Sequence, residues 1–321
     1  MMSYPRRRRV WSTGLPGTTE VVLVRRVTLA WSVVLLSLTL SVTIVPAANA
    51  AFPGGNGDIA FSRTIHGQSD IWIVYAGVTG TTNLTNTAHR LESQPDYNAA
   101  GTRIAFTRCT EEFSNCDLWA MDADGANKAR LTFTPAVQET WPTWSPDGMK
   151  IAYTSDAVGP SQDIWVMDAD GNNQTRLTFT AGFDAFPEWS PDGTKIAFTS
   201  DRAALDDIWV MDADGSNPMR LTAGAPVDER PDWSPNGAKI AFSRNGNIWK
   251  MSANGSNEVQ LTVAHGGEFA PAFSPNGKRI AFNRLSKDGN RVNIWIIRAD
   301  GSGPVHRTFS MFDFFPDWQP T

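Results

Sequence analysis

Apolar and polar positions along this chain recur with a long period. Ile-Ala-Phe or Ile-Ala-Tyr begins at Ile59, Ile104, Ile151, Ile196, Ile240 and Ile280, at spacings of 45, 47, 45, 44 and 40 residues. Each is followed by Asp/Asn-Ile/Leu-Trp, with Trp at 72, 119, 165, 209, 249 and 295. Arg/Gln-Leu-Thr comes next at Leu131, Leu177, Leu221 and Leu261, then a Pro-x-aromatic step such as Pro142-Thr143-Trp144, and Ser-Pro-Asp/Asn-Gly closes four of the units. Four short apolar runs in a unit of 40–47 residues predict four strands per unit, the signature of a β-propeller. We label them a (Pro-x-Trp-Ser), b (Lys-Ile-Ala-Phe-Thr), c (Asp-Ile-Trp-Val-Met) and d (Arg-Leu-Thr).

These strands lack a polar face. In strand c, Ile164 and Val166 point to one side while Trp165 and Met167 point to the other. A sheet that is apolar on both faces must be covered on both, which stacking blades around a ring achieves. The first unit opens at Asp58-Ile59 in strand b, with no strand a before it. The chain closes on Phe315-Pro316-Asp317-Trp318-Gln319-Pro320, a strand a with no strand b after it. The expectation is an all-β, six-bladed propeller of four-stranded antiparallel blades, closed by a C-terminal strand that completes the first blade.

The tandem Trp-Ser-Pro-Asp-Gly-x-Lys-Ile-Ala-Phe and Asp-Ile-Trp-Val-Met-Asp-Ala-Asp-Gly units resemble the TolB-type propeller repeats, also called PD40 or WD40-like, over residues 52–321. That resemblance implies periplasmic or extracellular placement and protein binding through one propeller face. TolB proteins carry a separate domain before the propeller. Here an apolar segment leads straight into the first repeat, so the expectation stops at a TolB-like propeller rather than a Tol-Pal role.

The first 50 residues differ from the rest. They hold six Arg (Arg6 to Arg9, Arg25, Arg26) against one acid, Glu20, then an apolar run from Val27 to Val45, and Ala48-Asn49-Ala50. Basic n-region (1–26), apolar h-region (27–45) and A-x-A site predict a secretory signal cleaved after Ala50, with the propeller spanning 51–321. The same run kept as a membrane anchor is the alternative; after cleavage no transmembrane domain is expected. Removing residues 1–50 takes the net charge from −5 to −10. So acidic a body argues against nucleic acid, which needs a basic face. Secretion, or placement in the periplasm or cell envelope, also suits a disulfide. Cys109 ends strand b and Cys116 begins strand c of the same hairpin, so their Cβ atoms face each other across its mouth, and a bond is expected.

In a propeller the short, nearly constant a–b and c–d turns share one edge, and the b–c and d–a loops share the other. Here the second set varies, from Asn245-Gly246 to the stretch Cys109 to Cys116, and variable loops on a rigid scaffold are where binding sits. Three residues before each Pro of strand a stands an acid: Glu92, Glu139, Asp184, Asp228, Glu268 and Asp313. They are the candidate partner-binding ring at the channel mouth. Carboxylates so arranged need donors or a cation. Arg63, Arg108, Arg244 and Arg284 end strand b in four units, while Ser155-Asp156 and Ser200-Asp201 stand there in the other two.

Other constellations are weak. Asp-x-Asp-Gly at Asp122, Asp168 and Asp212 lacks the bidentate Glu of a calcium loop and reads as turn chemistry. His66, His89 and His265 fall on the loop edge without short ligand spacing. No G-x-S-x-G elbow and no H-E-x-x-H motif occurs. The expectation is therefore a monomeric, non-catalytic scaffold that needs no cofactor and binds a protein or peptide through the loop edge, with a cation at the acidic mouth an open option. The alternative is a polysaccharide lyase or glycosidase with its site at that mouth, where two of the many acids could act as a pair.

Overall fold

The computed structural model describes residues 56–321, apart from 78–79, 113–114, 160, 225 and 264–266. The expected export signal, 1–50, lies outside the described residues. Among those residues every regular element is a strand, and no helix long and apolar enough to cross a membrane is present.

Each repeat folds as its apolar runs dictate. In the third unit, strands a (Glu139–Trp144), b (Lys150–Ser155), c (Asp163–Asp168) and d (Thr175–Arg176) pair antiparallel in that order. Ser145-Pro146-Asp147-Gly148 turns a into b. Gly148 NH donates to Ser145 O at 2.8 Å, with Gly148 at φ +69°. The fourth, fifth and sixth units repeat the arrangement, giving four separate four-stranded sheets.

The first two units depart from the expectation of six separate blades. Their strands form one eight-stranded sheet. The joint is a single parallel pairing, Ser69 with Leu91, where strand a of the second unit (Arg90–Tyr97) starts beside strand c of the first (Gln68–Val74). Strand a of the second unit is two residues longer than those of the third to sixth units, and this extra length, at its start, reaches the neighbouring strand.

The C-terminal strand, Asp313–Pro320, pairs antiparallel with Asn56–Ile65. Its register sets Ile59 against Trp318, Ala60 against Asp317 and Arg63 against Asp313. Gln319 Nε2 then donates to Gly101 O of the second unit at 2.8 Å.

Between consecutive units lie hydrophobic clusters of one recipe. One unit gives the Ala of strand b and the Ile, Leu or Val of strand c. The next gives the Trp, Tyr or Phe of strand a, the Ile and aromatic of strand b, and often the Met of strand c. Ala152, Ile164, Val166 and Leu177 thus meet Trp189, Ile196, Phe198 and Met211. Ala281, Ile294 and Ile296 of the last unit meet Ile59, Phe61 and Trp318 of the first in the same way. The slim Ala side of each sheet accepts the bulky side of its neighbour, which lets the sheets pack closely.

Candidate functional site

Antiparallel register draws a row of polar residues across each unit at the loop edge. Asp313 faces Arg63, which faces Asp70; Glu92 faces Arg108, which faces Asp117; Glu268 faces Arg284, which faces Asn293. All six strand-a acids are buried there: Glu92, Glu139, Asp184, Asp228, Glu268 and Asp313. A buried carboxylate needs a partner, and five of them have an arginine. Arg63 Nε lies 2.6 Å from Asp313, Arg108 Nε 2.6 Å from Glu92, Arg244 Nε 2.6 Å from Asp228 and Arg284 Nε 2.6 Å from Glu268. The fifth arginine, Arg202, reaches Asp184 with Nη2 at 2.9 Å. It stands two residues beyond the end of strand b, so the strand-end position that marks the other four arginines did not reveal it.

Each of these guanidinium groups also lies over two aromatic rings of its own unit. Arg202 sits 5.1 Å from the Phe198 centroid and 4.8 Å from that of Trp209. Arg244 sits 5.0 Å from Phe242 and 4.9 Å from Trp249. Arg63, Arg108 and Arg284 repeat the geometry on Phe61 and Trp72, Phe106 and Trp119, and Phe282 and Trp295. In these five units the Trp of the Asp/Asn-Ile/Leu-Trp step, read from the sequence only as a strand residue, is the floor of this site. Planar guanidinium suits both jobs, bonding a carboxylate and stacking on a ring.

Glu139 is the exception. No Arg or Lys among the described residues forms an ion pair with it; its Oε2 is buried without a hydrogen-bond partner, which is also true of the arginine-paired Glu92 and Glu268. Burial pushes its carboxyl up to about 7, with Asp117 adding to the rise and the Thr132 and Thr134 hydroxyls opposing it. The Asp at the start of strand c is held instead by the arginine of strand d. Arg130 bonds Asp117 at 2.7 Å, Arg176 bonds Asp163 at 2.9 Å and Arg220 bonds Asp207 at 2.6 Å.

Two residues after each acid the chain takes a positive φ, at Gln94, Trp141, Phe186, Arg230, Ala270 and Phe315. The kink lets the backbone NH bond strand b of the preceding unit. Phe186 N donates to Thr154 Oγ1, Arg230 N to Thr199 Oγ1 and Ala270 N to Ser243 Oγ. These side chains converge. Trp141 meets Phe186 edge-on at 4.5 Å and Phe315 at 6.3 Å, and Arg230 lies over Phe186 at 5.1 Å. A second buried acid layer follows two residues on. Asp96, Asp232 and Asp317 accept the backbone NH of Trp144, Phe273 and Tyr97. Burial holds the Asp232 and Asp317 carboxyls well above their usual range.

Among the described residues no group of three or more His, Cys, Asp or Glu could hold a metal ion. His265 lies outside them, and His89 Nδ1 is 2.8 Å from Glu111. Cys109 and Cys116 are opposite each other in register and joined by a disulfide. The loop edge also carries exposed apolar side chains. Phe133, Phe179, Val263 and Phe309 each follow a Leu-Thr or Arg-Thr step in a d–a connection. Arg130 and Arg176 lie over the Phe133 and Phe179 rings at 4.8 and 5.0 Å.

The family model of the TolB beta propeller domain matches residues 138–320. No curated protein matches the chain. Among solved structures, TolB from Acinetobacter baumannii superposes with a TM-score of 0.73 at 23% identity, over 83% of this chain and 67% of that one. A putative TolB from Agrobacterium tumefaciens gives 0.64 at 22% identity, over 83% and 92%. An oligogalacturonate lyase from Vibrio parahaemolyticus gives 0.50 at 13% identity, over 79% and 90%. At these identities the structural likeness concerns the fold.

Proposed function

This chain belongs to the TolB β-propeller domain family, and we propose that it is an exported, non-catalytic scaffold that docks a protein partner on its b–c and d–a loop edge. The observation that carries the reading is the contrast between the two edges. One is built of short, mostly polar turns such as Ser145-Pro146-Asp147-Gly148, with Met149 exposed beside it. The other presents Phe133, Phe179, Val263 and Phe309 to solvent at repeat-equivalent positions, two of them stacked with arginine. Aromatic and arginine side chains are the residues that protein interfaces favour.

Six blades fit this reading, with the eight-stranded sheet counted as two blades held by the one pairing of Ser69 with Leu91. The basic, then apolar, then A-x-A leader supports placement in the periplasm, at the cell envelope or outside the cell. The six strand-a acids lie under the loop edge and frame it. Five are occupied by arginines of the chain itself, so loops and guanidinium groups, rather than bare carboxylates, form the docking surface.

Capture from an envelope fraction by the immobilised protein tests the reading. A protein retained by this chain, and lost when the exposed phenylalanines are replaced, supports it. The fold shared with an oligogalacturonate lyase gives the competing enzyme reading its own assay: formation of unsaturated product from oligogalacturonate by the same preparation would replace the scaffold reading.

A further inference from the structure

Five units show how this protein binds a guanidinium group: a buried strand-a carboxylate at one end, and the aromatic rings of strands b and c beneath. The third unit has the same parts. Glu139 is the carboxylate, and Tyr153 and Trp165 face each other in register as Phe198 and Trp209 do in the fourth unit. Their ring centroids are 6.5 Å apart.

The backbone that delivers the arginine in the fourth unit is also reproduced. There Asp201 N donates to Phe183 O, Phe183 N donates to Asp201 Oδ1, and Arg202 N donates to Ser200 Oγ at 3.3 Å. In the third unit Asp156 N donates to Gln138 O, Gln138 N donates to Asp156 Oδ1, and Ala157 N donates to Ser155 Oγ at 3.2 Å. Ser155-Asp156-Ala157 therefore matches Ser200-Asp201-Arg202 bond for bond. Ala157 stands where Arg202 stands, and its side chain ends at Cβ.

Nearby positive charge does not replace the missing group. Arg130 is bonded to Asp117 and lies over Phe133, and Arg176 is bonded to Asp163 and lies over Phe179. Glu139 Oε2 is buried without a partner, as are Glu92 Oε2 and Glu268 Oε2, but those two acids hold an arginine on Oε1 and Glu139 holds none.

We propose that Glu139, Tyr153 and Trp165 form a guanidinium socket that takes an arginine side chain from a protein partner. This rests on the docking reading above and names the chemistry of the contact. The socket sits at the same loop edge as the exposed phenylalanines. It selects arginine over lysine because the five internal examples use Nε or Nη on the carboxylate while the guanidinium plane lies on the rings, which a compact ammonium cannot do. Binding gives Glu139 the arginine that the other five acids already have, and a charge-assisted bond to a buried carboxylate is strong. The socket makes the third unit the one place where the repeat is completed from outside.

The test uses three proteins: wild type, Ala157→Arg, which supplies the side chain as Arg202 does, and Glu139→Gln. Thermal unfolding is followed at pH 8 with increasing N-acetyl-arginine amide, and with the lysine and citrulline amides as controls. Wild type should gain melting temperature with the arginine amide, saturably and more than with either control. Ala157→Arg should unfold about 2–4 °C higher without additive and gain nothing from the probe, and Glu139→Gln should also fail to respond. Equal response by all three proteins, or none by wild type, overturns the socket. If Glu139→Gln does not fold, the comparison of wild type with Ala157→Arg decides alone. The probe contains no protein, so the two readings fail separately. Arginine amide binding without any captured protein leaves the socket and removes the docking scaffold. A partner held equally by wild type and Ala157→Arg does the reverse.

Discussion

Arg63 and Asp313, 250 residues apart, hold Nε and Oδ1 at 2.6 Å. The pair joins the first described strand to the last one and closes the fold. Asp313→Ala would leave the Arg63 guanidinium buried without its counter-charge, a loss of about 3–5 kcal/mol. Deleting residues 312–321 should go further, opening the edge of Asn56–Ile65 to other chains and producing aggregates. Light scattering and thermal unfolding check both; a truncated chain as soluble and heat-stable as wild type would contradict closure by this strand.

Gly101 tests the same seam from the neighbouring unit. It has φ +65°, and a Cβ there would lie 2.2 Å from Pro320 O. Gly148 has nearly the same φ, +69°, with nothing within 4 Å of a Cβ. Replacing either with Ala brings the left-handed backbone cost of about 1–2 kcal/mol. Gly101→Ala should lose clearly more than Gly148→Ala in urea unfolding, because only there must Pro320 move. Equal losses would mean that the C-terminal strand is not seated as described.

The Glu139 carboxyl carries a pH signature. Its folded-state value is raised from 4.5 to about 7, chiefly by burial. Stability drawn from the neutral form is fully present below the unfolded value and is lost as the pH rises through the folded one. Asp117, Arg130 and Tyr153 face the same group. The readout is therefore the difference between wild type and Glu139→Gln. Wild type should lose melting temperature relative to the variant as pH rises from 4.5 through about 7. A constant difference across that range would show that Glu139 ionises in the folded chain at its ordinary value.

The Cys109–Cys116 bridge fastens the b–c loop of the second unit. Closing so short a loop should stabilise by about 2–3 kcal/mol in the chain-entropy model. The double Cys→Ser variant should lose that much in urea unfolding. Mass spectrometry of the unreduced protein should find no alkylatable thiol; two labelled cysteines would refute the bond in solution.

Periodicity made the strands legible, and the stray strand b at Asp58 and stray strand a at Asp317 made the closure legible. The acids were equally clear, because Glu92 and its five counterparts keep one distance from a proline. Their arginines were legible only where Arg63, Arg108, Arg244 and Arg284 end strand b. Arg202 lies two residues off that register, and only the paired backbone bonds of Asp201 and Phe183 show that it does the same job. The converging row of Gln94, Trp141, Phe186, Arg230, Ala270 and Phe315 was hidden, since what these residues share is a backbone angle and not a side-chain type. The joining of the first two sheets was hidden for a similar reason: it depends on one backbone pairing at the tip of a long strand. The burial of the acids beneath the loops was not legible from their spacing.

Because Glu139 and Asp184 are buried, reversing their charge would test folding instead of docking. The direct test of the docking edge replaces exposed side chains. Retention of an envelope protein is compared for wild type, Phe133→Ser with Phe179→Ser, and Asp147→Lys with Asp192→Lys, at matched thermal stability. The loop-edge pair should weaken retention at least about tenfold, the scale of losing interface side chains worth more than 1 kcal/mol. The opposite-edge pair should retain the partner as wild type does. Loss of binding by the Asp147 and Asp192 variant, with full binding by the Phe133 and Phe179 variant, would place the partner on the other edge and contradict the account.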